Sequence, residues 1–323
     1  MKLAKTYSYL KRDLNSIERA LNDVIQAEHP ILRKASTQLL RAGGKRIRPV
    51  FVLLSSQFGD VDMEKIKTIA VSLELIHMAT LVHDDVIDDA ELRRGKPTIK
   101  HQYSNRVAMY TGDYILARAL ERITTIESPA IHHALSHTIV EVCVGEIEQM
   151  KDQYNWNQHL RNYLRRIKRK TALLIATSCK LGAVAAHLND RYVNSLYLYG
   201  YYIGMSFQIV DDILDFTSTP KELGKPAGND LIQGNVTLPV LYAMQDESFN
   251  KLLHETFKDP NQVTNEDMDI LITELKNTGA IDSSYRLSNL YLNKALDVLD
   301  DLPDEKPKQT LTNIAMYIGK RRS

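Results

Sequence analysis

The sequence predicts an all-α protein, a single large helical bundle over residues 1–323. Three observations point there. Glycine (14) and proline (10) are scarce for 323 residues, so few positions interrupt a helix. Few stretches alternate with period two, whereas apolar residues recur every three or four positions through long segments. No Gly/Ser/Pro-rich or densely charged linker divides the chain, so one domain is expected although the length has room for two.

Residues 1–41 read as one or two helices, with Leu10, Leu14, Ile17, Leu21 and Ile25 at helical spacing, a segment suited to packing. Next comes Arg41-Ala-Gly-Gly-Lys45-Arg46-Ile-Arg48-Pro49, where two glycines free the backbone and Pro49 can open a helix as its first residue. A helix N-terminus flanked by Lys45, Arg46 and Arg48 suits phosphate oxygens, although the same motif alone also reads as a solvated basic turn. A helix from about Met63 to Asp89 follows. His77 lies about 20° from Asp84 around its axis, either as a core histidine or as a ligand contact on the acidic face. Glu91-Leu-Arg93-Arg94-Gly95-Lys96-Pro97 makes a basic turn whose paired arginines can grip a metal-bound phosphate.

Mostly buried helices are expected at about 105–122, 131–150 and 171–187. The basic run from Arg161 to Lys170 reads as a solvated face, apart from Lys170 and Thr171, which open the last of these helices. A final long helix spans about Tyr192 to Asp215, its tyrosines assigned to packing, with Gly224-Lys225-Pro226 in the loop beyond. The C-terminal Gly319-Lys320-Arg321-Arg322-Ser323 reads as a solvated end within reach of a phosphate site.

The sharpest feature is a duplicated triplet. Asp84, Asp85 and Asp88 sit in LVHDDVIDDA; Asp211, Asp212 and Asp215 sit in SFQIVDDILDF. Acids at i and i+4 lie roughly 40° apart on a helix, with the i+1 acid beside them, so each triplet gathers three carboxylates on one face. Two unit charges about 5 Å apart repel by about 1 kcal/mol in water and about 3 at an effective dielectric of 20. Such a cluster in apolar surroundings calls for cations, and Mg²⁺ fits, since it takes oxygen ligands, keeps waters and is held by one or two carboxylates plus substrate phosphate. A solvated acidic face is the bland alternative. Leu81, Val82, Val86 and Ile87 around the first triplet, and Phe207, Ile209, Val210, Ile213 and Leu214 around the second, count against it. Two such triplets on facing helices would make a site for a diphosphate.

Composition narrows the rest. A net charge of +1 gives no electrostatic reason to expect nucleic acid or a strongly basic membrane-binding surface. No uninterrupted apolar run reaches about 20 residues and the N-terminus lacks a signal-peptide core, so a cytoplasmic chain is expected. Cys143 and Cys179, without CxxC spacing, read as ordinary buried thiols.

In order, GGKRIRP, ELIHMATLVHDDVIDD, LRRGKPT, KTA, FQIVDDILD and GKPAGNDLIQGNVTLP resemble the trans-prenyl (all-E) diphosphate synthases along nearly the whole chain. The resemblance is to the catalytic chain of bacterial long-chain synthases, in particular the heptaprenyl type. It implies an isoprenoid synthase-like bundle with a central cavity, and that Asp84, Asp85, Asp88, Asp211, Asp212 and Asp215 bind Mg²⁺ and the allylic diphosphate. It further implies that Arg93, Lys170, Thr171, Gln208 and Lys225 contact the allylic substrate, farnesyl diphosphate by expectation, and that Lys45, Arg48, His77 and Arg94 hold isopentenyl diphosphate. Many members carry lysine where this chain has Asn235. Ala79 and Thr80, small where an aromatic gives short products, imply about six to eight isoprene units, as in quinone side chains such as that of menaquinone. A dimer is implied, either with a small non-catalytic subunit or with a second copy, and a greasy product implies transient contact with a membrane surface.

On this reading the allylic C–O bond ionises as magnesium and side-chain cations stabilise the departing diphosphate. Isopentenyl diphosphate then attacks through its double bond and loses a proton to the released diphosphate. A shorter-chain geranylgeranyl or farnesyl diphosphate synthase and a class I terpene cyclase are the alternatives. A cyclase typically replaces the second DDxxD by a mixed Asn/Asp, Ser/Thr and Glu motif. A non-catalytic partner subunit usually loses acids from these motifs.

Overall fold

The computed structural model describes residues 3–93, 95–218 and 227–321. Arg94 and Lys225 therefore lie outside the described residues. Among those described, the chain is helical throughout except for a two-stranded hairpin, Leu92–Arg93 (β1) and Lys96–Pro97 (β2), which pair antiparallel with Leu92 opposite Pro97.

The longer helices, in order, are α1 (Lys11–Val24), α2 (Pro30–Arg41), α3 (Ile47–Ser56), α4 (Met63–Ile87), α5 (Asn105–Ile123), α6 (Pro129–Lys151), α7 (Leu160–Ile167), α8 (Leu173–Ala185), α9 (Asp190–Thr217), α10 (Leu238–Ala243), α11 (Glu247–Thr256), α12 (Asn265–Asn277), α13 (Ala280–Asp297) and α14 (Lys306–Gly319). The expected helices are all present, with ends moved by a residue or two. Pro49 is the third residue of α3 rather than its first. It still falls in the first turn, where a missing N–H costs no intrahelical bond.

By packing, the chain divides into two compact units: Met1–Ile139 with Leu174–Gly200 and Val298–Ile314, and Val140–Leu173 with Tyr201–Asp297 and Ala315–Ser323. In the first unit α4 is the central element, packed most extensively on α5 and also on α3. Its sequence explains this, because Ile66, Ile69, Val71, Leu73, Leu75, Ile76, Met78 and Val82 leave no polar face along most of its length and all are buried. Asp62 starts it, its carboxylate accepting from the N–H groups of Glu64 (3.1 Å) and Lys65 (3.2 Å). The end is fixed by Asp89, whose backbone is left-handed (φ 51°). α4 is long and apolar enough to cross a membrane by length and composition, but 72% of its most apolar window is buried inside the protein. Its greasy surface is a core surface.

In the second unit Tyr163, Ile167, Ala172, Met205, Ile209, Ile213 and Leu238 form one apolar cluster. A second cluster gathers Phe216, Leu231, Val236 and Val240 with Phe249, Leu253, Leu271 and Leu275 from the following helices. Thus α9 buries the residues alternating with its aspartates, and that burial fixes which way the acids can point. The two thiols differ. Cys179 is buried and its pKa is pushed up to about 12 by burial, whereas Cys143 is exposed, contrary to expectation, because it falls on an outward face of α6.

Candidate active site

The first triplet closes α4. Asp85 is buried (3% exposed) while Asp84 and Asp88 are half-buried. Burial raises the Asp85 pKa, and the negative charges of Asp84 and Asp88 raise it further, which is the mutual repulsion expected of a shared face. Arg93 opposes both, donating from Nε to Asp85 Oδ1 at 2.7 Å. The hairpin delivers that guanidinium. Gly95 supplies the left-handed turn (φ 73°), and Thr98 bonds back to the segment after α4 through its N–H to Glu91 and its hydroxyl to Ala90. Asp89, just outside the triplet, pairs with Lys100.

Upstream, the GGKRIRP segment divides its cations between two tasks. Arg46 takes a left-handed backbone (φ 48°) and turns inward, bonding Glu18 at 2.8 and 2.9 Å and the buried Glu74 at 3.2 Å. It is therefore structural and not a phosphate ligand as its spacing suggested. Lys45 is exposed just before α3, and Arg48 is buried in its first turn. His77 is half-buried on α4, where its carbonyl accepts from the hydroxyl of Thr80 at 2.8 Å. Ala79 is buried (2% exposed).

The second triplet lies on α9. Asp212 (3% exposed) accepts hydrogen bonds from the Tyr163 hydroxyl at 2.7 Å and from Gln208 Nε2 at 2.8 Å. Its pKa rises to about 7, first through burial and then through the neighbouring charge of Asp230, with Asp211 adding to it. Asp215 (2% exposed) accepts from the Asp230 N–H at 3.2 Å, and its own carbonyl holds the Gly228 N–H at 2.8 Å, which tethers the 227–230 turn to the helix. Asp211 is more exposed. Arg321 donates to it at 3.3 Å and also lies over the Phe207 ring, so the C-terminal segment is not simply a solvated end.

Lys170 and Thr171 occupy a single π-helical turn, Lys168–Ala172, inserted between α7 and α8. Such bulges recur at functional sites because the extra residue re-aims side chains. Thr171 donates to Gln208 Oε1 at 2.6 Å, so Thr171, Gln208 and Asp212 form one chain of hydrogen bonds. Lys170 reaches Glu146 (3.3 Å) and Gln149 (3.2 Å) on α6. The basic run before it is only in part a solvated face, with Arg161 and Arg165 exposed. Arg166 is buried, donating to Gln158 (2.9 Å) and to the Val236 carbonyl, and Arg169 pairs with Glu141 (3.0 Å) and Glu148 (2.6 Å).

Gly204 sets α9 against this turn. A Cβ there would stand 2.5 Å from Ala172 Cα, inside any tolerable contact and with backbone that cannot rotate away. Gly204→Ala is expected to cost about 1–3 kcal/mol and to disturb the Thr171–Gln208–Asp212 chain. Urea denaturation with a parallel activity assay checks it, a neutral result on both disproving the tight approach.

Sequence reasoning missed Tyr163, Glu146, Gln149 and Asp230. Acids on α6 facing a basic run twenty residues later were a readable signal for the lysine and arginine pairs. Tyr163 carried none, being one aromatic on an apolar stripe. Asn235 is half-buried, its N–H on the Asp230 carbonyl at 2.8 Å.

Every donor in both triplets is a hard carboxylate oxygen, which fits a hard divalent cation and not a soft one. Among the described residues no three or more His, Cys, Asp or Glu side chains close on a bare ion by themselves. Residues 29–275 match the model for polyprenyl synthetase. The chain belongs to the polyprenyl synthetase family. This polyprenyl synthetase is 58% identical over 325 residues to heptaprenyl diphosphate synthase component 2 of Bacillus subtilis, a match covering all of this chain and 92% of that protein. The crystal structure of heptaprenyl diphosphate synthase from Staphylococcus aureus superposes with a TM-score of 0.92 at 42% identity, covering 97% of this chain and 99% of that one. A polyprenyl synthase from Caulobacter crescentus, crystallised with calcium and isoprenyl diphosphate, gives 0.94 at 29% identity over 100% and 98%. The fold is accordingly the all-α isoprenoid synthase fold, and the protein is a long-chain trans-prenyltransferase.

Proposed function

We propose that the chain, working as one domain over residues 1–323, builds an all-trans polyprenyl diphosphate of about seven isoprene units, by analogy with its 58%-identical relative. The substrates are isopentenyl diphosphate and an allylic diphosphate, farnesyl diphosphate by preference. The observation that carries this is the presence of both aspartate triplets, each with at least one acid buried and held by protein donors, Asp85 in the first and Asp212 and Asp215 in the second, while a neighbour remains exposed enough to take a ligand.

Mg²⁺ is the proposed ion, held by Asp84, Asp85, Asp88, Asp211, Asp212 and Asp215. When bound it supplies Lewis-acid stabilisation of charge on the departing diphosphate. The chain's own residues do the remainder. Arg93, fixed on Asp85, and Lys170, Thr171 and Gln208 orient the allylic diphosphate, and the positive charge of Arg93 and Lys170 favours C–O ionisation because the leaving group takes the electron pair. Lys225 belongs with them by resemblance. Lys45, Arg48, His77 and, by resemblance, Arg94 hold isopentenyl diphosphate, whose double bond attacks the allylic carbon. The proton lost afterwards goes to the released diphosphate, so no side-chain base is assigned. Apolar residues of α4 line the path of the growing tail and keep water from the cation.

The relative's name, component 2, supports a partner: a small non-catalytic component that completes the active enzyme. A cytoplasmic location with transient membrane contact for release, and use of the product as a quinone side chain, complete the proposal. Labelled isopentenyl diphosphate with farnesyl diphosphate provides the test, run with Mg²⁺ or a chelator and with or without the partner component. Incorporation that requires Mg²⁺ and rises at least tenfold with partner is expected. Full incorporation in the chelator, or none with partner present, contradicts the proposal, whereas full activity of the chain alone replaces the heteromer with a homodimer.

A further inference from the structure

A cleft of about 650 Å³ opens between α2, the β2 strand and the short helix Ile99–Gln102, all within the first unit. Arg33, Lys34, Arg41 and Lys96 line it, and no acidic residue does. In a chain whose net charge is only +1, four cations around one hollow are a strong local concentration of charge. Two of them are fixed without a carboxylate. Arg33 donates to the carbonyls of Ala27 (2.6 Å) and Glu28 (3.2 Å), and Lys96 donates to that of Arg41 (2.9 Å). Gln38 bonds the Pro97 carbonyl at 3.0 Å and so closes one wall on the hairpin. None of the six aspartates, nor Lys45, Arg48 or His77, lines the cleft. Its volume lies within the range of small-ligand sites.

We propose that this cleft is a second anion site, separate from the catalytic one, that takes a phosphate or diphosphate group. Four cations held around one concavity match a multiply charged anion better than a single carboxylate. Two apolar side chains stand near it: Ile31, one turn before Lys34 on α2, is 44% exposed, and Leu92, cross-strand partner of the lining residue Pro97, is 57% exposed. That juxtaposition suits a phosphate carried by an amphiphile at a lipid surface, and free diphosphate is the other source of the same chemistry.

The test uses the full chain in excess EDTA, which removes metal-dependent diphosphate binding at the aspartates. Inorganic diphosphate is titrated calorimetrically, and sedimentation is measured with phosphatidylcholine vesicles with and without phosphatidic acid. The variant Lys34→Glu with Gln102→Glu puts two negative charges into the cleft at exposed positions, and Lys34→Gln serves as a milder second variant, each checked for helical content by circular dichroism. At least tenfold weaker binding in the double variant is expected, with a smaller loss in Lys34→Gln. Loss confined to the phosphatidic acid vesicles assigns a lipid headgroup, and loss confined to inorganic diphosphate assigns the free anion. Wild-type binding to neither probe, or binding by both folded variants equal to wild type, overturns the proposal.

Discussion

Asp84→Ala and Asp211→Ala are each expected to lower prenyl transfer at least about 10³-fold, a loss of about 4 kcal/mol of transition-state stabilisation, while leaving the helical fold intact. These two positions separate chemistry from stability. Asp84 is half-buried and Asp211 is exposed, the latter in contact with Arg321 at 3.3 Å. A surface pair of that kind contributes roughly 0–1 kcal/mol. Asp85 and Asp212 are poorer choices because they are buried partners of Arg93 and of Tyr163 with Gln208. Removing one of those acids strands donors that are half-buried (Arg93, Gln208) or buried (Tyr163) and costs folding energy as well. Steady-state rates alongside thermal melts decide the matter. Turnover near the wild-type rate in either folded variant would remove that triplet from the mechanism.

Ala79→Phe is expected to shorten the product by several isoprene units. Ala79 is five positions, roughly 7.5 Å, before Asp84 along α4, and it is buried at 2% exposure. By resemblance, the tail passes this position and a benzyl group there blocks it. Overpacking will also destabilise α4, by about 1–3 kcal/mol, so the product ladder and not the total yield is the informative readout. A ladder identical to wild type on thin-layer chromatography would make Ala79 an ordinary core residue of α4.

The helical class was legible because α4 and α9 are long and strongly apolar, α4 without glycine or proline and α9 with only Gly200 and Gly204, which leave the period readable. Both triplets were legible for a related reason: three acids within five residues of such a helix have no ordinary packing explanation. What escaped the sequence was partner choice among like charges. Arg46 and Arg48 are two residues apart, yet the left-handed turn at Arg46 sends its guanidinium to Glu18 and Glu74, and no local pattern announces that turn. Likewise Arg166 and Arg169 look solvated in a run of six cations, until Val236, Glu141 and Glu148 are brought to them by segments far along the chain. The π-turn at Lys168–Ala172 was equally silent, since its residues have ordinary helix propensities. Long-range pairing set these features. Local periodicity set the rest.

The central claim, that both aspartate triplets hold a divalent cation together with an allylic diphosphate, is most directly tested by electron paramagnetic resonance titration of Mn²⁺ in the presence of an unreactive farnesyl thiodiphosphate. Wild-type protein should take up Mn²⁺ strongly only when the analogue is present, and Asp84→Ala and Asp211→Ala should each weaken that uptake at least tenfold. Uptake equal to wild type in both variants would contradict the account.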